Sequence, residues 1–357
     1  MGQSSAVASR LLRRYPWVSF PFLVSAPMSG YAGPELAVAV SRAGGLGFIG
    51  PGAETKDMAG SMEEAASLLR GTQPFARLED GLSPVGVSFI LWKDDLETAI
   101  SVLKKSKPCA AWLYAPEQRQ HVDEWTHGIR TASPQTQIWI QIGTVDEAKG
   151  LLSNSIKPDV VVVQGSESGG HGRAKDGMGL MSLLPEVVDV MADTEIPIFA
   201  AGGIADARGV AASLCLGASG VVMGTRFLAS HEARISPGYQ NEIVRAGNGA
   251  VSTTRTLLYN HLRGEYGWPE DYVPRTMINK SYVEFNEGRP FEELRELWQQ
   301  AGDKEGFAWG PEGRRGQYVG ASIGLIHEVR DAADIVRDVR DNVVARIKSL
   351  QAMRGEE

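Results

Sequence analysis

From Val18 to Leu228 the chain alternates short apolar runs with longer stretches of helical period, the pattern of repeated parallel βα units. Eight runs rich in β-branched or apolar residues read as strands: Phe22 to Ala26, Leu46 to Ile49, Val85 to Leu91, Ala110 to Tyr114, Ile138 to Ile142, Val160 to Gln164, Ile198 to Ala201 and Gly220 to Met223. The segments between them carry an apolar stripe on one face. Leu36, Ala39, Val40 and Ala43 form one such stripe, and Gly44 and Gly45 then stop the helix. Eight strands suit either a doubly wound open sheet or a closed barrel. The count of eight, with phosphate-type loops after the last two, predicts an α/β fold, a (β/α)8 TIM barrel over residues 15–228.

The pattern breaks after Phe227. From His231 to Tyr318 the strand runs disappear and the chain becomes rich in Arg, Glu, Trp and Tyr, with Pro237, Pro269 and Pro274 punctuating helical pieces. This predicts an added, mainly helical subdomain over 229–320 that serves as a lid. From Ile323 to Met353, Leu325, Ile326, Val329, Ile335, Val336 and Val339 recur among charges. That spacing predicts one long amphipathic helix within a C-terminal segment, 321–357, packed on the barrel's outer ring.

Composition changes this picture little. A barrel of about 250 residues plus an appendage accounts for 357 residues. A net charge of -7 argues against a nucleic-acid partner, which needs a field of Lys and Arg. No apolar stretch has the roughly 18 residues of a membrane span. Cys109 and Cys215 each sit in an apolar run, which predicts buried thiols, no disulfide framework and a reducing, cytoplasmic compartment. The basic, Ser- and Ala-rich start, Met1 to Arg14, reads as a loose terminus rather than a targeting signal, and Ala6 stands where an acylation pattern wants Ser or Thr.

Several segments carry chemistry. Gly45, Gly47 and Gly50 spell a dinucleotide fingerprint, but a helix precedes them and a strand follows, the reverse of the required order. They read as helix-stop and strand-entry glycines. A stronger signal is the pair of turns Ala200-Ala201-Gly202-Gly203-Ile204 and Met223-Gly224-Thr225-Arg226, after the last two strands. Glycine lets backbone N–H groups approach a phosphate closely, and Thr225 adds a hydroxyl. The loop Gln164 to Arg173 leaves the sixth strand with Gly169, Gly170 and His171, which puts a proton-transfer group at the catalytic face of a barrel. Ala26, Pro27 and Met28 offer an apolar wall, and Gln141 and Gln164 end two strands with amides suited to the edge of a planar ring. Metal-binding motifs and a G-x-S-x-G nucleophile elbow are absent from the sequence.

In the order and spacing of Ala26-Pro27-Met28, Pro34 to Gly50, Gln164 to His171, Ala200 to Ala207 and Gly224 to Phe227, the chain resembles the nitronate monooxygenases, formerly 2-nitropropane dioxygenases, over roughly its whole length. The resemblance implies FMN as cofactor, and a small nitro compound and molecular oxygen as substrates. It implies that Gly202, Gly203, Met223, Gly224 and Thr225 hold the FMN phosphate, and that Ala26, Pro27 and Met28 lie by the isoalloxazine. The resemblance further implies that Gln141, Gln164, Gly169 and Gly170 stand near the flavin, and that His171 faces the substrate, where it would remove the α-proton of a neutral nitroalkane. Ser88, expected among the cofactor-binding residues, stands where many bacterial members have Asn, and Tyr318 to Leu325 replaces Trp and Gln of a WAGQ-type motif with Tyr and Ala, which points to a fungal-type branch. Two other functions suit the same loops: an FMN-dependent enoyl-acyl-carrier-protein reductase, and a flavin or phosphometabolite binder without chemistry.

Overall fold

The computed structural model describes residues 2–71, 81–304 and 306–352. The expected strands form, each within two residues of its predicted bounds: β1 (Leu23–Ser25), β2 (Leu46–Ile49), β3 (Ser83–Ile90), β4 (Pro108–Tyr114), β5 (Gln137–Ile142), β6 (Val160–Gln164), β8 (Ile198–Ala201) and β9 (Gly220–Met223). All pair in parallel, and β9 returns to β1, so the sheet closes as a barrel. Three further strands lie outside it: β7 (Gly170–Arg173), β10 (Thr253–Arg255) and β11 (Tyr272–Met277), an antiparallel sheet in the order β10-β11-β7.

Strand alternation sorts the core into two layers. Val221 and Met223 of β9 face outward against the helices, in one layer with Leu36, Val40 and Val87. Val222 faces inward with Val24, Phe48, Trp112, Trp139 and Phe199. Trp139 fills the barrel axis, its ring 5.2 Å from Phe48 and 4.7 Å from Phe199. Gly47 is a packing glycine: a Cβ there would come within 2.0 Å of the Ala37 carbonyl oxygen, so the helix Pro34–Arg42 lies directly on β2.

The loose start is corrected. Gly2–Arg14 is a helix, and with Leu11, Tyr15 and Trp17 buried it closes the end of the barrel opposite the catalytic face. The Tyr15 hydroxyl accepts the Trp139 indole N–H at 2.9 Å. The long C-terminal helix is corrected as well. Ala321–Leu325 is a short 3-10 turn, and the α-helix begins only at Ala332 and runs to Ala352; Met353, the predicted end, lies outside the described residues. This helix packs between Pro34–Arg42 and Ala207–Cys215, and Arg340 donates to the Ala43 and Gly44 carbonyls at 3.1 and 2.9 Å. Residues 231–318 do not lose their strands, since β10 and β11 lie there. Cys109 is buried, Cys215 is exposed, and both are free thiols. Among the described residues no helix is long and apolar enough to cross a membrane.

Candidate active site

A cavity of about 470 Å³ opens where the barrel strands end. Alternation explains which strand-end residues reach it: Ile140 and Ile142 face the helices while Gln141 between them faces in, and Ser88 is likewise turned inward between Val87 and Phe89. The same rule turns the side chain of one expected residue away. Met223 is fully buried in the outer layer and does not line the cavity; Val222 does, and Met223 contributes its carbonyl oxygen to the Ala26 N–H at 3.0 Å.

The remaining expected residues surround this space. On one side, Gly202 and Gly203 have φ of +99° and +76°, which only glycine adopts without strain. A Cβ at Gly202 would stand 2.8 Å from the Gly165 carbonyl oxygen. Gly224 borders Ala26 and Met28 at ordinary contact distance. Thr225 accepts the Gly320 N–H at 2.9 Å, which leaves its own hydroxyl hydrogen to donate. Along the floor, Gln141 accepts the Trp112 indole N–H at 3.1 Å and keeps its amide N–H groups, whereas Gln164 donates to the His171 carbonyl at 3.3 Å and keeps its oxygen. One free amide donor and one free acceptor, an apolar wall from Ala26 to Met28 and a glycine cradle fit the ring edge, ring face and phosphate of a flavin. Ser88 is less available, because its hydroxyl lies 3.3 Å from the Ile49 carbonyl oxygen and donates to it.

His171 sits on the opposite side, on β7 rather than in a free loop. Its partner in register is Pro274 of β11. Its carbonyl accepts the Tyr114 hydroxyl at 2.6 Å, and its ring lies face to face with Trp268. The loop before it is held by two arginines that sequence reading left out: Arg255 and Arg275 donate to the Ser166 carbonyl at 3.0 and 3.1 Å. Burial, with Arg275 nearby, pushes Arg255 down to about 10. His171 is held well below the usual imidazole range, first by burial and then by Arg263 and Arg255.

A run of the subdomain supplies much of this surround. Asn260 Nδ2 lies 2.8 Å from His171 Nε2, and Tyr318 donates its hydroxyl hydrogen to Asn260 Oδ1 at 3.2 Å. Arg263 Nη1 donates to that same hydroxyl oxygen at 2.5 Å. Glu265 accepts both Arg263 and the Trp268 indole N–H, which ties the run together. The density of Trp, Tyr and Arg in this stretch and the changed residue at Tyr318 were the available signals, but contacts between residues 89 positions apart are set by the fold. The other histidines, at 121, 127, 231, 261 and 327, lie outside the cavity lining.

The sequence model of one family, described as nitronate monooxygenase, matches residues 17–78 and 98–264. The nitronate monooxygenase npaC of Metarhizium robertsii is 50% identical over 96% of this chain and 96% of its own length. A nitronate monooxygenase of Neurospora crassa is 31% identical over 98% of this chain and 96% of its own length. Among solved structures, FabK from Thermotoga maritima superimposes with a TM-score of 0.73 at 26% identity, covering 96% of this chain and 98% of that one. With the barrel, the paired glycine turns and the histidine loop in these positions, the chain belongs to the nitronate monooxygenase family.

Proposed function

We propose that this protein is an FMN-dependent enzyme that oxidises small alkyl nitronates with molecular oxygen, giving carbonyl compounds and nitrite. One observation carries the reading: a single cavity has a cradle of glycine turns on one side and a half-buried, stacked histidine on the other. When bound, the flavin supplies electron acceptance from the substrate and reaction with oxygen. The chain supplies the rest. The N–H groups around Gly202, Gly203 and Gly224 and the Thr225 hydroxyl hold a terminal phosphate, and the two turns suit one phosphate rather than an adenylate.

Ala26, Pro27 and Met28 support one ring face, with Gln141, Gln164, Gly169 and Gly170 at its edge. His171 stands across the remaining space and meets the nitro group. In this reading residues 15–228 bind the cofactor, and 229–320 supply the substrate wall and shield the site from water. Residues 321–352 brace the barrel. Denaturing the purified protein and identifying the released cofactor, then following oxygen uptake and nitrite with a primary alkyl nitronate, tests the reading. FMN with coupled nitrite formation is expected; FAD, or oxygen uptake without nitrite, would overturn it.

A further inference from the structure

The hydrogen bonds around His171 run in one direction, and an arginine fixes that direction. A guanidinium only donates, so Arg263 Nη1 fills a lone pair of the Tyr318 oxygen. Burial raises the Tyr318 hydroxyl above its usual range even beside Arg263, so it keeps its proton. That proton has the Asn260 Oδ1 atom as its acceptor. With its oxygen turned to Tyr318, Asn260 presents its amide N–H to His171 Nε2, 2.8 Å away. Nε2 is therefore an acceptor, and in a neutral imidazole the hydrogen stands on Nδ1. Asn260 is fully buried, so no bulk water competes for either end of its amide. His171 lines the cavity, and its Nδ1 has no hydrogen-bond partner among the described residues.

We propose that Arg263, Tyr318 and Asn260 act as positioning residues that hold His171 in the Nδ1–H form, so that it meets the anionic oxygen of a nitronate as a neutral hydrogen-bond donor. Resting on the nitronate reading, this makes preformed nitronates the substrates and neutral nitroalkanes poor ones. Removal of an α-proton needs an open lone pair, and the one on Nε2 is engaged by Asn260. This departs from the base role that the family resemblance implies for His171. A nitronate has already lost that proton, and its charge is what an N–H donor recognises best.

The tautomer is measurable without substrate. Nitrogen-15 NMR of the flavin-loaded protein labelled at histidine, with His171 identified by its loss in His171→Asn, is expected to show a protonated Nδ1 and an unprotonated Nε2. In Asn260→Asp the new carboxylate accepts from the ring, so the hydrogen is expected on Nε2. The same variant should then lose nitronate kcat/KM by about 10- to 100-fold, the worth of one hydrogen bond to a charged group. Its ratio of nitroalkane to nitronate turnover should rise, because Nδ1 now offers a lone pair. His171→Asn keeps a donor near the Nδ1 position and should retain more nitronate activity than His171→Ala. A wild-type signal with the hydrogen on Nε2 would overturn the proposal, as would wild-type turnover of a nitroalkane matching that of its own nitronate. If the Nδ1–H signal appears but neither substrate form reacts, the tautomer assignment stands and the nitronate reading fails.

Discussion

The His171 imidazole and the Trp268 indole are stacked, their centroids 3.4 Å apart and their planes within 6° of parallel. Stacking on an indole removes water from one face of the imidazole, and Tyr318, its centroid 5.9 Å away, borders the ring as well. Burial of this kind disfavours the charged imidazolium, in agreement with the direction of the His171 shift.

His171 should therefore stay neutral as pH falls through the ordinary imidazole value of about 6.5. NMR titration of the ring tests this, and Trp268→Ala should bring the midpoint back up towards that value. The unfolded chain takes up the proton that folded His171 refuses. The residue's contribution to stability is thus whole above pH 6.5 and is lost as pH falls from there towards the folded value. Titration of wild-type His171 at or above the ordinary value would contradict the account.

Gly224 gives the cleaner test of the phosphate cradle. Gly203 has positive φ, so any side chain there strains the backbone as well as the site. Gly224 has φ of -103°, and a Cβ would meet only Ala26 and Met28 at 3.6 and 3.8 Å. Gly224→Asp should fold, with an unchanged far-ultraviolet spectrum, and should purify without flavin because its carboxylate repels the phosphate. Stoichiometric flavin in this variant would remove Gly224 from the cradle.

Tyr15→Phe should separate the barrel's base from its catalytic face. It strands the Trp139 indole N–H in a buried site, at a cost of about 1–3 kcal/mol measured by urea denaturation, with flavin content and nitrite formation retained. An unchanged midpoint would mean that another acceptor replaces the hydroxyl.

Barrel strands were legible because each is a short apolar run between amphipathic helices, and β6, Val160–Gln164, needs nothing beyond its own residues to be recognised. The outer sheet was not. β7 reads Gly-His-Gly-Arg, β10 reads Thr-Thr-Arg, and β11 contains Pro274, so none shows apolar alternation and all form by docking on one another. The paired glycine turns were legible for a similar local reason, since positive φ selects glycine at Gly202 and Gly203. The Met223 side chain turns away from the cavity because one step along a strand reverses a side chain, and the inward position belongs to Val222. Asn260, Arg263 and Trp268 were missed because nothing local marks a side chain that meets a histidine from another part of the chain.

Nitronates are what this site oxidises. Anaerobic mixing of the flavin-loaded protein with an alkyl nitronate, and separately with NADH or NADPH, tests it most directly through the visible absorbance of the flavin. Rapid bleaching by the nitronate is expected, with slow or no bleaching by the nicotinamides and return of colour with nitrite release when oxygen is admitted. Rapid bleaching by NADH or NADPH, no response to the nitronate, and turnover of an enoyl thioester would contradict it.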